Sequence, residues 1–263
     1  MNHRPDLESL AALATGLARR AGDLLLGGQA SLRSDVTTKT SSTDMVTDMD
    51  RASEALIVEG LVKARPDDAI LGEEGASRGG DSGVRWVIDP LDGTTNYMYG
   101  QPSFAVSIAA EVDGRAVVGV VNDPSRDECF TATAGGGAFV NGERLAVSGA
   151  TDLSAALVAT GFSYVAERRA VQGRLVARVL PAVRDIRRHG AASLDLCWVA
   201  CARVDAYYES GLQPWDLAAG AVIAAEAGAV VEDLDGPLPE SGSVLAATPA
   251  LAVPLRALVM GTG

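Results

Sequence analysis

The chain has 263 residues, 48% of them hydrophobic, enough for one large domain or two small ones around a sizeable core and too apolar for disorder. Its 22 Lys and Arg stand against 34 Asp and Glu, a formal charge of −12, which argues against a nonspecific nucleic-acid or anionic-membrane surface. An anionic substrate remains compatible, because bound divalent cations invert the local sign of a site. Three cysteines, Cys129, Cys197 and Cys201, are too few for a disulfide scaffold, so a cytoplasmic location is expected. With only His3 and His189, no His-rich zinc site or Ser-His-Asp triad can be built without His189, which reads as a loop or cap residue in RRHGAAS.

In chain order, Leu7, Leu10, Ala14, Leu17, Ala21, Leu24 and Leu25 recur at helical spacing. Asp6, Glu8, Arg19, Arg20 and Asp23 interrupt them, so the segment reads as an amphipathic helix and not a signal peptide. TTKTSSTDMVTDMD reads as a loop leading to a second helix, from about Arg51 to Ala64, with Leu56, Leu61 and Val62 inward. A short strand then runs into ILGEEG. The next, in WVIDPLDGTTN, is expected to stop near Asp89, because Pro90 cannot donate to a ladder and Gly93 permits unusual backbone angles. Asp89 and Asp92 would then sit on a loop.

FAVSIAAEV, RAVVGVVND, DECFTATAG and GAFVNGERLAV, with turns at Asp113-Gly114 and Asn141-Gly142, predict an antiparallel sheet. From about residue 153 strands alternate with helices: ALVATG, Val165 to Leu180, AASLDLCWVACARV, DAYYES, PWDLAAGAVIAAEAG, AVVED, VLAAT and a last helix from about Pro249. Cys197 and Cys201 share a helix face and are expected to pack, as are Ala218, Val222, Ala225 and Ala229. The change of pattern divides the chain into an N-terminal α+β subdomain, residues 1–150, and a C-terminal α/β subdomain, residues 151–263.

Four acidic clusters fall at element ends: Asp44 with Asp50, Glu73 with Glu74, Asp89 with Asp92, and Asp216, where helix capping is a strong reading. Singly each suits a solvated turn. Together, Glu73, Asp89, Asp92, Asp216, the Leu91 carbonyl and the Thr94 hydroxyl form an oxygen-only donor set suited to Mg²⁺. Two such ions would clamp a phosphate ester and lower the pKa of a water. Gly93-Thr94-Thr95 would add amide donors at the start of a short helix. A covalent aspartyl-phosphate route wants its second carboxylate two positions away, and the residue two before Asp92 is Pro90.

WVIDPLDGTTN and WDLAAGAVIAAEAGAVV, together with Lys39, the segment from Asp44 to Asp50, GEEG and DAYYESGLQPWD, resemble the inositol monophosphatase family of Mg²⁺-dependent, lithium-sensitive phosphomonoesterases. The resemblance implies a layered αβαβα sandwich of the inositol monophosphatase and fructose-1,6-bisphosphatase type, with most metal ligands in the first subdomain. It implies two or three Mg²⁺: Glu73, Asp89, the Leu91 carbonyl and Thr94 at one, Asp89, Asp92 and Asp216 at another, and Glu73 reaching a third through water. Glu73 and Thr94 would activate water, with Asp50 accepting from the Thr94 hydroxyl. Phosphate would rest on the Gly93 and Thr94 amides, and polyol hydroxyls would meet Asp92, Gly190, Ala192 and Glu209.

The expected activity is hydrolysis of myo-inositol 1-phosphate by a homodimeric enzyme with no membrane partner and no direct nucleic-acid partner. The alternatives are the same chemistry on histidinol phosphate, fructose 1,6-bisphosphate or 3′-phosphoadenosine 5′-phosphate, or a regulatory binding protein that keeps the fold. DAYYESG favours inositol, since Glu209 can accept from ring hydroxyls and a site built for such contacts rejects esters that lack them.

Overall fold

The computed structural model describes residues 5–34, 42–234 and 242–261, so His3, Lys39 and the side chain of Asp44 lie outside the described residues. Helices α1 (Leu7–Ser34) and α2 (Ser42–Ala64) come first. The buried stripe of α1 is Leu10, Ala14, Leu17, Ala18, Ala21 and Leu25, and Ile57 and Leu61 of α2 pack in the same cluster. Helix α2 starts well before the expected Arg51, so Asp50 is helical and not on a loop. Its polar Ser/Thr start is a weak helix former, and tertiary packing of residues such as Met49 overrides that propensity.

Strands β1 (Ala69–Gly72), β2 (Ser77–Arg78) and β3 (Val84–Asp92) are followed by the short helix α3 (Thr94–Met98). Then come β4 (Ala105–Val112), β5 (Arg115–Asp123), β6 (Glu128–Thr133), β7 (Gly137–Val140) and β8 (Glu143–Arg144). They form one sheet in the order β2-β1-β3-β4-β5-β6-β7-β8, antiparallel but for the β1–β3 pair. A second sheet takes β9 (Leu157–Thr160), β10 (Asp185–Arg187), β11 (Ala206–Glu209), β12 (Val230–Asp233) and β13 (Val244–Ala247) in the order β10-β9-β11-β13-β12. Helices α4 (Ala166–Val179), α5 (Ala192–Ala200), α6 (Pro214–Glu226) and α7 (Pro249–Met260) complete the described chain.

Period-two alternation along the strands assigns their side chains to successive cores. On β3, Trp86 and Ile88 face α1 and α2, while Val87 faces the opposite way, toward α5 and α6. On β11, Tyr207 joins that middle core, while Ala206 and Tyr208 join the core beneath α7. The layers therefore run α1/α2, first sheet, α5/α6, second sheet, α4/α7, the expected αβαβα sandwich. No helix among the described residues is long and apolar enough to cross a membrane.

Two sequence expectations shift. Strand β3 does not end at Asp89 but continues to Asp92: Asp89 pairs with Ser107 and Asp92 with Ala105, so Pro90 and Leu91 lie opposite the single residue Val106. This β-bulge accommodates the proline without a ladder bond. On α6 the fully buried residues are Ala219, Gly220, Ile223 and Ala224, whereas Ala225 is exposed and Ala218 and Val222 only half-buried, so the inward face is rotated by one position. Both faces of α6 are small and apolar, and hydropathy alone could not choose between them.

The close approach of α6 to the first sheet rests on Gly119 of β5, where a Cβ would stand 2.3 Å from the Ala219 carbonyl oxygen. Gly119→Ala must push a backbone and is expected to destabilise the fold by about 1–3 kcal/mol, read from urea midpoints. An unchanged midpoint would show that this spacing yields freely.

Candidate active site

The bulge decides the geometry of the site. Residues three apart on a regular strand point to opposite faces, but the extra residue at Pro90-Leu91 returns Asp92 to the side of Asp89. Both carboxylates are buried, at 1% and 8% exposure. Ser53 of α2 holds the bulge, donating to the Pro90 carbonyl at 2.8 Å. One residue on, Glu54 accepts from the amides of Glu74 and Ala76 at 3.0 and 3.1 Å, which fixes the loop carrying Glu73. Asp50 lies one turn before these two on α2, buried, and its Oδ1 has no hydrogen-bond partner.

Beyond Asp92 the chain turns at Gly93, whose φ of +86° and contact with the Ser103 carbonyl admit no side chain, and enters α3. The Thr94 hydroxyl donates to the Leu91 carbonyl at 3.0 Å. The expected Thr94–Asp50 bond is therefore not formed in this structure. Asp216 arrives from the middle layer as the third residue of α6, in a capping box: its carboxylate accepts from the Gln213 amide at 2.7 Å, while the Gln213 side chain accepts from the Asp216 amide. Capping and membership of the site coincide. Trp215 lies beside it, its carbonyl accepting from the Ser107 hydroxyl at 3.4 Å.

These residues line a cleft of about 340 Å³ between the two halves of the chain, together with Gly190, Ala192 and Glu209. Burial raises Asp89 well above the usual carboxylate range, and Glu73, Asp92 and Asp216 add like charge. Asp92 is pushed up to about 8 by burial and Asp216, against the opposing bonds from Ser193. Burial also raises Glu73 and Asp216, each within hydrogen-bonding reach of Asp89. Asp50 is pushed up to about 8 by burial and by Glu73 and Glu74. Glu209 rises to about 7 through burial, moderated by the Tyr207 hydroxyl that donates to it at 2.7 Å.

None of the four clustered carboxylates is ion-paired to Lys or Arg among the described residues, and no three His, Cys, Asp or Glu side chains there form a closed ion cage as they stand. The buried charge lacks compensation from the chain, and every donor is oxygen. That chemistry fits a hard divalent cation and does not fit a soft one.

Three residues beyond the sequence expectations take part. The Ser193 amide, at 2.8 Å, and its hydroxyl both donate to Asp92 Oδ2, tying the first turn of α5 to the bulge. Tyr164 reaches across the mouth of the cleft to the Thr95 hydroxyl at 3.1 Å. Arg188 lines the cleft wall next to Gly190. RRHGAAS contains two of the three, but nothing in its spacing distinguishes them from solvated loop residues. His189 stands outside the cleft lining: its Nδ1 is 2.6 Å from Asp195 and its ring meets Trp198 edge-on at 4.1 Å. Burial, with Arg126 and Arg187 nearby, pushes it down to about 4, which makes it a packing residue.

Residues 6–259 match the inositol monophosphatase family. The chain is 46% identical over 270 residues to the inositol-1-monophosphatase of Mycobacterium leprae, covering 95% of this chain and 90% of that one. It is 45% identical over 241 residues to the Nus factor SuhB of Pasteurella multocida, covering 90% of each. Its fold superposes on the solved Mycobacterium tuberculosis SuhB with a TM-score of 0.85 and 42% identity, covering 97% of both chains. With that agreement along nearly the whole length, the chain belongs to the inositol monophosphatase family.

Proposed function

We propose that the protein is a Mg²⁺-dependent phosphomonoester hydrolase acting on a small polyol phosphate, with myo-inositol 1-phosphate as its substrate. The observation that carries this reading is the uncompensated, oxygen-only cluster of buried Asp89 and Asp92 with Glu73 and Asp216, beside the Gly93-Thr94 turn. Glu73, Asp89, the Leu91 carbonyl, Asp92, Thr94 and Asp216 would hold two or three Mg²⁺, with Asp89 shared. The ions, when bound, neutralise the phosphate and the departing oxygen.

The chain's own groups do the rest. The amides of Gly93 and Thr94 cradle the phosphate. Glu73 and Thr94 orient the water and Glu73 takes its proton, while Asp50 would accept from the Thr94 hydroxyl once that hydroxyl leaves the Leu91 carbonyl. The water oxygen bonds to phosphorus as the ester P–O bond breaks, and a proton passes to the departing alkoxide. Asp92, Gly190, Ala192 and Glu209 receive the polyol, Glu209 accepting from its hydroxyls with an orientation set by Tyr207. Lithium sensitivity, a cytoplasmic location and a homodimeric state belong to the same reading. The relatives named Nus factor favour a second reading, in which the chain also serves as a regulatory binding protein.

Asp89→Asn removes the shared anionic ligand and is expected to lower kcat/KM for myo-inositol 1-phosphate by about 100-fold or more, with weaker Mg²⁺ binding by calorimetry. Wild-type turnover in that variant would remove Asp89 from the centre of the site, and absence of phosphate release by the wild type with Mg²⁺ would refute the hydrolase reading.

The raised carboxylates also set a pH dependence. Asp50 and Asp92, at about 8 in the folded chain against an ordinary 3.8, keep protons that the unfolded chain has lost. In chelator, stability is therefore full below the ordinary carboxylate range and falls as pH rises toward about 8. Added Mg²⁺ should raise the melting temperature more at pH 8 than at pH 5, as measured by thermal scans at both; an equal gain would mean the cation does not bind these groups.

A further inference from the structure

Arg188 is the one cationic side chain lining the cleft among the described residues. Its guanidinium Nη1 lies over Gly190, in the space a Cβ there would fill, and Gly190 itself has a φ of +86°. The arginine's charge is felt by Glu209 and by Asp195. The neighbouring Arg187 is clamped by Asp185 at 2.6 Å, and Arg126 by Asp123 at 2.7 Å. Arg188 has no such partner among the described residues.

The cleft is thus polar in the electrical sense. Its lining gathers four carboxylates around the phosphate cradle and, beside Gly190 and Glu209, a single guanidinium that has no ion-pair partner among the described residues. A neutral polyol satisfies Glu209 and leaves the guanidinium to water. A guanidinium presents parallel N–H donors that match a carboxylate or phosphate in two bonds at once. Its exposed flank and its position on Gly190 leave it free to make them.

We propose that Arg188 forms a second anion subsite, so that among the esters it hydrolyses the enzyme prefers those whose alcohol carries a further anionic group, phosphate or carboxylate. This rests on the hydrolase reading above and adds to myo-inositol 1-phosphate a class of ester that the same cleft binds more tightly. The cleaved phosphate lies on the Gly93-Thr94 turn, and the second anion meets Arg188 where its guanidinium lies over Gly190.

Two matched pairs of esters test it with the Mg²⁺-loaded enzyme: fructose 1,6-bisphosphate against fructose 1-phosphate, and 2-phosphoglycerate against glycerol 2-phosphate. The first reads a second phosphate and the second a carboxylate. Wild type should favour the doubly anionic member of at least one pair by roughly 10-fold or more in kcat/KM, mainly through KM. Arg188→Ala should bring that ratio toward one, Arg188→Lys should keep part of it, and added salt should erode it. A wild-type ratio near one in both pairs, or a ratio that Arg188→Ala leaves in place, overturns the subsite while the hydrolase reading stands. Absence of phosphate release from all four esters and from myo-inositol 1-phosphate overturns the hydrolase reading, and the subsite with it.

Discussion

The site depends on one irregularity of backbone, the two-for-one pairing at Pro90-Leu91. A regular strand would send Asp89 and Asp92 to opposite faces of the sheet, one toward α1 and α2 and one toward α5 and α6. The bulge turns both to the same side, and the Ser53 hydroxyl on the Pro90 carbonyl holds it there. The proline that looks like a strand terminator is what makes the bulge cheap, because it has no N–H to leave unpaired. Glu73, just past the end of the parallel neighbour β1, and Asp216, from the start of α6, then need only approach a fixed pair.

The remaining elements supply that approach from three layers. Helix α2 presents Asp50, Ser53 and Glu54 at helical spacing, one beneath the bulge and one against the Glu73 loop. Helices α5 and α6 bring their first turns to the same point, Ser193 bonding Asp92 and Asp216 completing its capping box. Asn96 of α3 donates to the carbonyls of Ser103 and His189, both at 2.7 Å, and so joins the first sheet to the loop that carries Arg188 and Gly190. Burying several like charges at such a junction is costly. The cost is the physical reason for expecting a cation there.

Much of this is legible in the residues. WVIDPLDGTTN and PWDLAAG announce the carboxylates, and the helix–sheet–helix order gives the layers. What was not legible has identifiable causes. The sequence hides the extent of β3, because proline normally ends a strand and a bulge leaves no one-dimensional mark. Asp50 reads as a loop residue because Ser, Thr and Asp are poor helix formers, and packing that overrides propensity is invisible in sequence. The α6 face was off by one position because nearly every residue there is small and apolar. Ser193 and Arg188 owe their place to contacts across about a hundred residues of chain or to the shape of a wall, and local spacing encodes neither.

Helix α5 lies between two sheets, with every residue from Ala192 to Ala200 buried, whereas α4 and much of α1 turn a face to water. A helix enclosed on all sides has no neutral positions: each side chain is fitted to a neighbour in one sheet or the other. Drift in such a protein must run from the outside inward. The outer helices can accumulate differences that record ancestry, while the middle layer, and the two helix starts it delivers to the carboxylates, changes only by paired replacements. The sandwich thereby separates the part of the chain that can diversify in partners from the part that keeps the chemistry.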